Sequence, residues 1–450
     1  MSETDILVVG AGAKAAAIAS KVHVVNSLGL GRIRMTIIEK TEPAASWLGR
    51  NGMTSGEEPL AIPPIKDIGF PYQSQRQFGE LGQTLDASLL PLSWQRFAME
   101  RGEYAAWVNS GSPAVRHRDY GEYLGWVLER ATEGITIYDG RVVELSPDHG
   151  SGRWLVDVAE RGGREDPVRH SSGALVLTGP GVHRHFPHDP AVESRIFHCD
   201  SRREEFERVP DDEPVQIAIV GGGESALSAL VFLRACRPQA RLTIYTPTLP
   251  LSRGESFLEN RVFADPDNVA WDTLDLQTRR DFVKHCDRGV FDASVLASIA
   301  DDDHCSFATG RAVHVSAAAG DRVALEFEAP EGVVAEPYDF VVNCTGFDLL
   351  RQLHELFPEP VRAELESRCG PLWERPPATE IPIGRALELE GVSPRLHIPG
   401  LGGLSQGPGF ANLGSLGLLA NRVLAPLFEE LGVPTVAESA KMQDKSLLLD

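Results

Sequence analysis

Two glycine-rich segments carry the first chemistry legible in this chain. In D-I-L-V-V-G-A-G-A-K-A, Gly10 and Gly12 fill the first two positions of G-x-G-x-x-G, and Ala15 takes the third. In V-Q-I-A-I-V-G-G-G-E-S-A, Gly221, Gly223 and Ala226 repeat the pattern, with Glu224 and Ser225 opening the stretch after the turn. Glycines at a strand-to-helix turn let the backbone come close to a pyrophosphate, and the helix start offers free N–H groups with partial positive charge. The elements that must hold each turn are a buried strand, Ile6–Val9 or Gln216–Val220, and a helix of small and apolar residues.

The strand after each unit separates the two. Met35–Ile38 ends in Glu39 and Lys40, which places a carboxylate where an adenosine ribose is held. Its distance from Gly12 exceeds the usual ~20 residues, and the turn Leu28–Gly31 absorbs the excess. After the second unit, Leu242–Tyr245 leads into Thr246-Pro247-Thr248 without an acid, which permits a ribose 2′-phosphate. Arg253 is the nearest cation able to pair with that phosphate, unless it is an ordinary solvated loop arginine. Two such sites in one chain are the pattern of a flavoprotein reduced by a nicotinamide cofactor, with FAD and NADPH as the expected pair.

At ~150 residues per domain, 450 residues make about three units. The proline-flanked acidic stretch Val209–Pro214 reads as a linker, and the runs Leu175–Thr178 and Phe340–Cys344 lead into Thr178-Gly179 and Thr345-Gly346. The expected fold is α/β, with two Rossmann-like dinucleotide-binding domains and the NADPH domain inserted into the FAD domain. Residues 1–210 form the first FAD segment and 336–450 the second, which carries a substrate-site helix. Residues 211–335 form the NADPH domain, with a small, mostly helical substrate region at about 254–310.

Lys and Arg number 43 against 64 Asp and Glu, a formal charge of −21, which disfavours nucleic acid and anionic membrane surfaces as partners. None of the six cysteines forms C-x-x-C, and the N-terminus carries acids where a signal peptide needs basic residues. No run approaches the ~20 apolar residues of a membrane span. A soluble cytoplasmic protein, assembling as a homo-oligomer, is the expectation. His183, His185 and His188 flank Pro187 with no cysteine nearby, so they read as a loop and no metal is expected.

Further motifs recur in a specific order: SWLGRNGM at 46–53, KDIGFPY at 66–72, GESFLENRVFADP at 254–266, DRGVF at 287–291, NCTGF at 343–347 and GLSQGPGFANLGSLGLL at 403–419. With GAGAKA at 10–15 and GGGESA at 221–226, they make the chain resemble the flavin-dependent amino-acid N-hydroxylases. These are the L-lysine 6-monooxygenases and L-ornithine 5-monooxygenases of siderophore biosynthesis, and the mycobactin-type lysine enzymes are the most similar. The stretch Arg195–Ser201 lacks the glycine of the F-x-G-x-x-x-H that Baeyer–Villiger monooxygenases carry, since His198 sits immediately after Phe197. The lack of a C-x-x-C pair speaks against a flavin disulfide reductase.

The resemblance implies that NADPH reduces FAD, O₂ adds to the reduced flavin, and a C4a-hydroperoxyflavin oxidises a neutral side-chain amine. Lysine is the first expected substrate. Ornithine, a diamine or an α-amine are alternatives, as is a flavin-binding redox sensor without turnover. No catalytic side chain beyond the flavin is implied. Lys66 would hold the substrate carboxylate rather than form a surface pair with Asp67, Asn260 would contact substrate and nicotinamide, and Asp287 would lie near the amine. A carboxylate there would also oppose the amine's deprotonation. Trp47 and Met53 would pack the adenine and ribityl region, and Thr345 and Gly346 would border the cofactor. Gly409, Phe410, Asn412 and Leu413 would open a C-terminal helix aimed at the flavin and running to about Leu431. Ser415 would lie one turn into it, near the substrate carboxylate.

Overall fold

Ile6, Leu7 and Val8 are at most 1% exposed, so the strand that carries them is covered on both faces, the condition of a parallel sheet. In the computed structural model this strand, Ser2–Val9, runs parallel between Met35–Glu39 and Val168–Leu177. Ile135–Asp148 and Arg395–His397 continue the sheet on either side, again parallel. From Gly140 on, Ile135–Asp148 pairs antiparallel with Arg153–Glu160, with an irregularity at Val142–Glu144, and Arg153–Glu160 pairs in turn with Val168–Leu177. The structure describes residues 2–52, 54–163, 166–199, 201, 203–210, 214–250, 252–254, 257–329, 332–373 and 381–433. Met53 and the acidic centre of the expected linker, 211–213, lie outside the described residues.

The helix Ala13–Ser27 is buried along most of its length, and alanines at 15, 16, 17 and 19 let it sit close to its neighbours. It packs against the helix Leu416–Glu430 from the other end of the chain. A second sheet is parallel throughout and runs Cys305–Thr309, Arg241–Thr246, Gln216–Val220, Phe340–Asn343, Ile196–His198 in space. Its central strand alternates with period two. Ile217 and Ile219 join the core formed with the helices Glu224–Cys236 and Ala293–Ile299. Ala218 and Val220 face the antiparallel sheet Arg311–Ala318, Arg322–Ala329, Gly332–Tyr338.

Three expected boundaries shift. Ile196–His198, assigned from sequence to the first segment, and Phe340–Asn343, assigned to the last, are both strands of the second sheet. The chain therefore crosses between the sheets before Ile196 and after Asn343, not at 210 and 335. A short apolar run carries no mark of which parallel sheet it joins. The stretch 254–310 is also not one helical region, because Cys305–Thr309 is an edge strand and Ala293–Ile299 belongs to the second sheet's core. The helices Phe257–Ala264 and Leu276–Cys286 are anchored instead on the C-terminal segment. Between them Trp271 Nε1 donates to the Leu404 carbonyl at 2.9 Å and Asp267 accepts from Arg422 at 2.6 Å, and within the second helix Arg279 also donates to the Leu404 carbonyl at 2.9 Å. Among the described residues no helix is long and apolar enough to cross a membrane.

One buried cation helps tie the helices Ala13–Ser27 and Leu416–Glu430 together through Ser74. Lys21, 1% exposed, donates to Ser74 Oγ at 2.8 Å and lies 3.9 Å from Asp86, while Asn421 donates to the same Ser74 hydroxyl at 3.0 Å. Burial pushes the Lys21 pKa down from 10.5 to about 8. Between those values the unfolded chain binds the extra proton, so stability rises with pH there, by of order 2–3 kcal/mol. Lys14 is lowered to about 8 as well. Lys21→Met is therefore expected to halve, roughly, the rise in urea-unfolding free energy between about pH 8 and 10.

Candidate functional site

Both glycine turns open onto one cleft of about 2190 Å³, which the helices Phe257–Ala264 and Leu276–Cys286 also border. Gly10 (φ +95°) and Gly221 (φ +148°) are crowded as well as glycine-favouring. A Cβ would lie 2.9 Å from Thr178 Oγ1 at the first and 2.3 Å from the Cys344 carbonyl oxygen at the second. Gly12 is different: nothing stands within 4 Å of the Cβ it lacks, and it is the N-cap of Ala13–Ser27. The start of this helix, where the first N–H groups lack intrahelical partners, therefore borders the cleft. Ala15 is fully buried and packs behind the turn rather than lining the cleft.

Gly223 caps the helix Glu224–Cys236 and lines the same cleft beside Glu224 and Ser225. Arg253 is not a solvated loop arginine; it is mostly buried and pairs with Glu224. A phosphate reaching it shares it with that carboxylate. Glu39 is likewise fixed. One of its oxygens accepts from the Ala11 N–H at 2.8 Å, and the other from the Thr41 N–H and hydroxyl, each at 2.9 Å. Lys40 is exposed next to it. Trp47 serves as cleft wall and core aromatic together, its ring edge-on to His117 at 4.9 Å and to Tyr120 at 5.5 Å. Thr345 and Gly346 also line the cleft, with the Thr345 hydroxyl donating to Asn343 Oδ1 at 2.7 Å.

Residues far apart in sequence meet in this cleft. Lys66 Nζ donates to Asn260 Oδ1 at 2.5 Å across 194 positions, and Asn412 Nδ2 donates to Asp287 Oδ1 at 3.1 Å across 125. The other Asp287 oxygen faces Arg288 Nε at 3.0 Å. Asp67 is buried, so it and Lys66 do not form a surface pair. It is 3% exposed and accepts from the Tyr72 hydroxyl at 2.8 Å, the Trp94 N–H at 2.9 Å and the Gly69 N–H at 3.1 Å. Burial pushes its pKa up against the pull of those donors. Asp67 thus folds the loop that presents Lys66.

The C-terminal helix starts at Leu416, not at Gly409, and ends at Glu430. Glycines at 407, 409 and 414 and Pro408 favour turns there, and only Pro408–Phe410 makes a single 3-10 turn. Asn412 and Leu413 reach the cleft from this loop. Gly409 and Phe410 do not, because the Phe263 carbonyl covers Gly409, 2.1 Å from where a Cβ would be. Ser415 immediately precedes the helix instead of lying one turn inside it. Its hydroxyl is fully buried, has no hydrogen-bond partner among the described residues, and lies behind the cleft wall.

Sequence patterning gives no role to Lys14, yet it lines the cleft and its Nζ donates to the Ala411 carbonyl at 2.9 Å. Burial lowers its pKa to about 8, with Arg288 adding to the fall and Asp287 opposing it. The legible signal is a cation in the first turn of a helix, where it opposes the macrodipole. Cys199 and Cys344 are also brought together, since they come directly after paired strands at the register His198–Asn343. The lack of C-x-x-C therefore does not exclude a thiol pair. Burial and the Cys199 thiol push the Cys344 pKa up, which keeps it protonated and unreactive.

This architecture is an α/β fold shared with monooxygenases. The lysine monooxygenase NbtG from Nocardia farcinica superposes with a TM-score of 0.77 at 31% identity, covering 94% of this chain and 100% of that one. The ornithine hydroxylase PvdA from Pseudomonas aeruginosa shares the fold with a TM-score of 0.73 at 20% identity, over 95% of this chain and 99% of that one. By sequence, L-lysine N6-monooxygenase MbtG of Mycolicibacterium paratuberculosis is 33% identical over 432 residues, 94% of this chain and 95% of that protein. MbtG of Mycobacterium tuberculosis is 34% identical over 433 residues, 93% and 94% respectively. Residues 85–349 match the model of the L-lysine 6-monooxygenase/L-ornithine 5-monooxygenase family, and the chain belongs to that family.

The geometry of the Lys66 loop is testable through one atom. The Gly417 N–H donates to the Phe70 carbonyl at 2.7 Å, and a Cβ on Gly417 would stand 2.1 Å from the Gly69 carbonyl oxygen. Gly417→Ala is expected to cost about 1–3 kcal/mol in denaturant unfolding through overpacking. Gly12→Ala, which meets no protein atom, is expected to leave stability within about 1 kcal/mol.

Proposed function

We propose that this chain converts the side-chain amine of L-lysine to N6-hydroxy-L-lysine, using bound FAD, NADPH and O₂. The observation that carries the reading is the meeting of Lys66 and Asn260 in the one cleft that both glycine turns share. In this reading the chain has two Rossmann-like units, the NADPH unit inserted into the FAD unit between crossings near Ile196 and Asn343. The first glycine turn, Glu39, Lys40 and Trp47 hold FAD, and the open space at Gly12 fits its pyrophosphate. Gly221, Gly223, Ser225 and Arg253 hold NADPH. FAD, when bound and reduced, supplies the activation of O₂.

The chain itself contributes position and charge. Lys66 is a point charge that suits the substrate carboxylate, and Asn260 holds its ammonium in place until the substrate takes over. Asp287 and Asn412 then border the amine end. Only a neutral amine accepts the oxygen atom, so Arg288 beside Asp287 matters: it offsets a carboxylate that would otherwise favour the ammonium. MbtG and NbtG act on lysine, which supports lysine over ornithine. The two amino acids differ by one methylene, worth ~1–3 kcal/mol in a pocket.

Purified protein is expected to be yellow with FAD, and to couple NADPH oxidation to hydroxylamine formation with lysine better than with ornithine or a diamine. Peroxide without hydroxylamine on every amine tested counts against the reading, and protein that takes up no FAD sinks it. Turnover is expected to rise with pH through the alkaline range, because the free lysine amine titrates near pH ~10.4. Lys66→Ala is expected to raise the KM for lysine about 10–100-fold, the loss of one charged hydrogen bond, with FAD content unchanged. Loss of flavin in that variant contradicts the assignment of Lys66 to the substrate.

A further inference from the structure

We propose that Glu259, His285 and Cys286 form a binding site for a borderline divalent transition-metal ion of the zinc type. A carboxylate oxygen, an imidazole nitrogen and the thiol sulfur of these residues lie within 4.8 Å of one another. Glu259 comes from the helix Phe257–Ala264, and His285 and Cys286 end the helix Leu276–Cys286. His285 Nε2 faces Glu259 Oε1 at 3.9 Å. Metal–ligand bonds of ~2.0–2.3 Å set neighbouring tetrahedral ligands roughly 3.5 Å apart, so side-chain rotations of about 1 Å close the site.

The donor set selects the ion. Thiolate with imidazole favours zinc, cobalt or copper over magnesium and calcium, which prefer oxygen alone. Three protein ligands leave a fourth position open, as in zinc sites that bind water or an exogenous ligand. The backbone supports the arrangement from behind. The Gly254 N–H donates to the His285 carbonyl at 3.0 Å, and the His285 ring packs on Gly254, where a Cβ would fall 2.0 Å from Nε2. Glu259 and Cys286 line the cleft, each one residue from Asn260 and Asp287. An ion here joins the two helices that carry them. On coordination the Cys286 thiol proton passes to solvent, and nothing is oxidised or reduced.

The test titrates reduced, FAD-loaded protein with Co²⁺ and monitors the difference spectrum, with Zn²⁺ displacement from a chromophoric chelator as a second measure. One ion per chain and a thiolate-to-cobalt charge-transfer band are expected. The band is expected to vanish in Cys286→Ser and to persist in Cys236→Ser, which removes an exposed thiol elsewhere. His285 is 63% exposed, so His285→Ala keeps the fold and is expected to weaken Zn²⁺ binding at least about 10-fold, with FAD content unchanged. A band that survives Cys286→Ser, undiminished affinity in His285→Ala, or no saturable binding of either ion overturns the proposal.

Discussion

Much of this molecule depends on how closely the helix Leu416–Glu430 approaches the Gly69–Phe70 peptide. Only a residue without a side chain fits between them at Gly417. The same helix packs on Ala13–Ser27, whose start is the first glycine turn. The loop ahead of it supplies the Ala411 carbonyl to Lys14 and the Asn412 amide to Asp287. One contact thus sets the spacing between the Lys66 loop, the first turn and the wall of the cleft. Asp67 holds that loop from the opposite side by gathering donors from Gly69, Tyr72 and Trp94.

Charge is arranged locally rather than globally. The chain carries a formal −21, yet its cleft is lined by Lys14, Lys40, Lys66, Arg253 and Arg288 and by two helix starts. Glu39 and Glu224, the carboxylates nearest the turns, have their charge taken up by Thr41 and Ala11 or by Arg253. The global field repels anions at a distance. Local donors govern at contact, because interactions between exposed charges fade within about 10 Å at ordinary salt.

Features that depend on near neighbours are the ones legible in the sequence. Strand, glycine turn and helix occur within a dozen or so positions, so both glycine turns and the helices they open can be read directly. The resemblance also singles out Lys66, Asn260 and Asp287 for the substrate and Asn412 for the flavin, without the pairs they form. Partner choice at long range is hidden. Ile196–His198 and Phe340–Asn343 are three- and four-residue strands with nothing local to say which sheet they enter. Ser415 falls outside the helix that its motif suggests because the glycines before it delay the helix start. Lys14 is hidden by a template that looks only at glycines, and the thiol pair by a rule that looks only at adjacent cysteines.

The two crossings between the sheets run side by side. Phe347 and Asp348 pair with His183 and Val182, the Arg184 N–H reaches the Gly346 carbonyl at 2.9 Å, and Asn343 Nδ2 reaches the Arg184 carbonyl at 2.8 Å. Two chain passages stitched in this way behave as one strap. Any swing of the second sheet against the first is confined to bending across that strap, without independent twisting of either passage. Lys66 and Asn260 lie on the same side of such a swing, because the helix Phe257–Ala264 is held by the C-terminal segment, so their hydrogen bond persists while the second glycine turn moves relative to it.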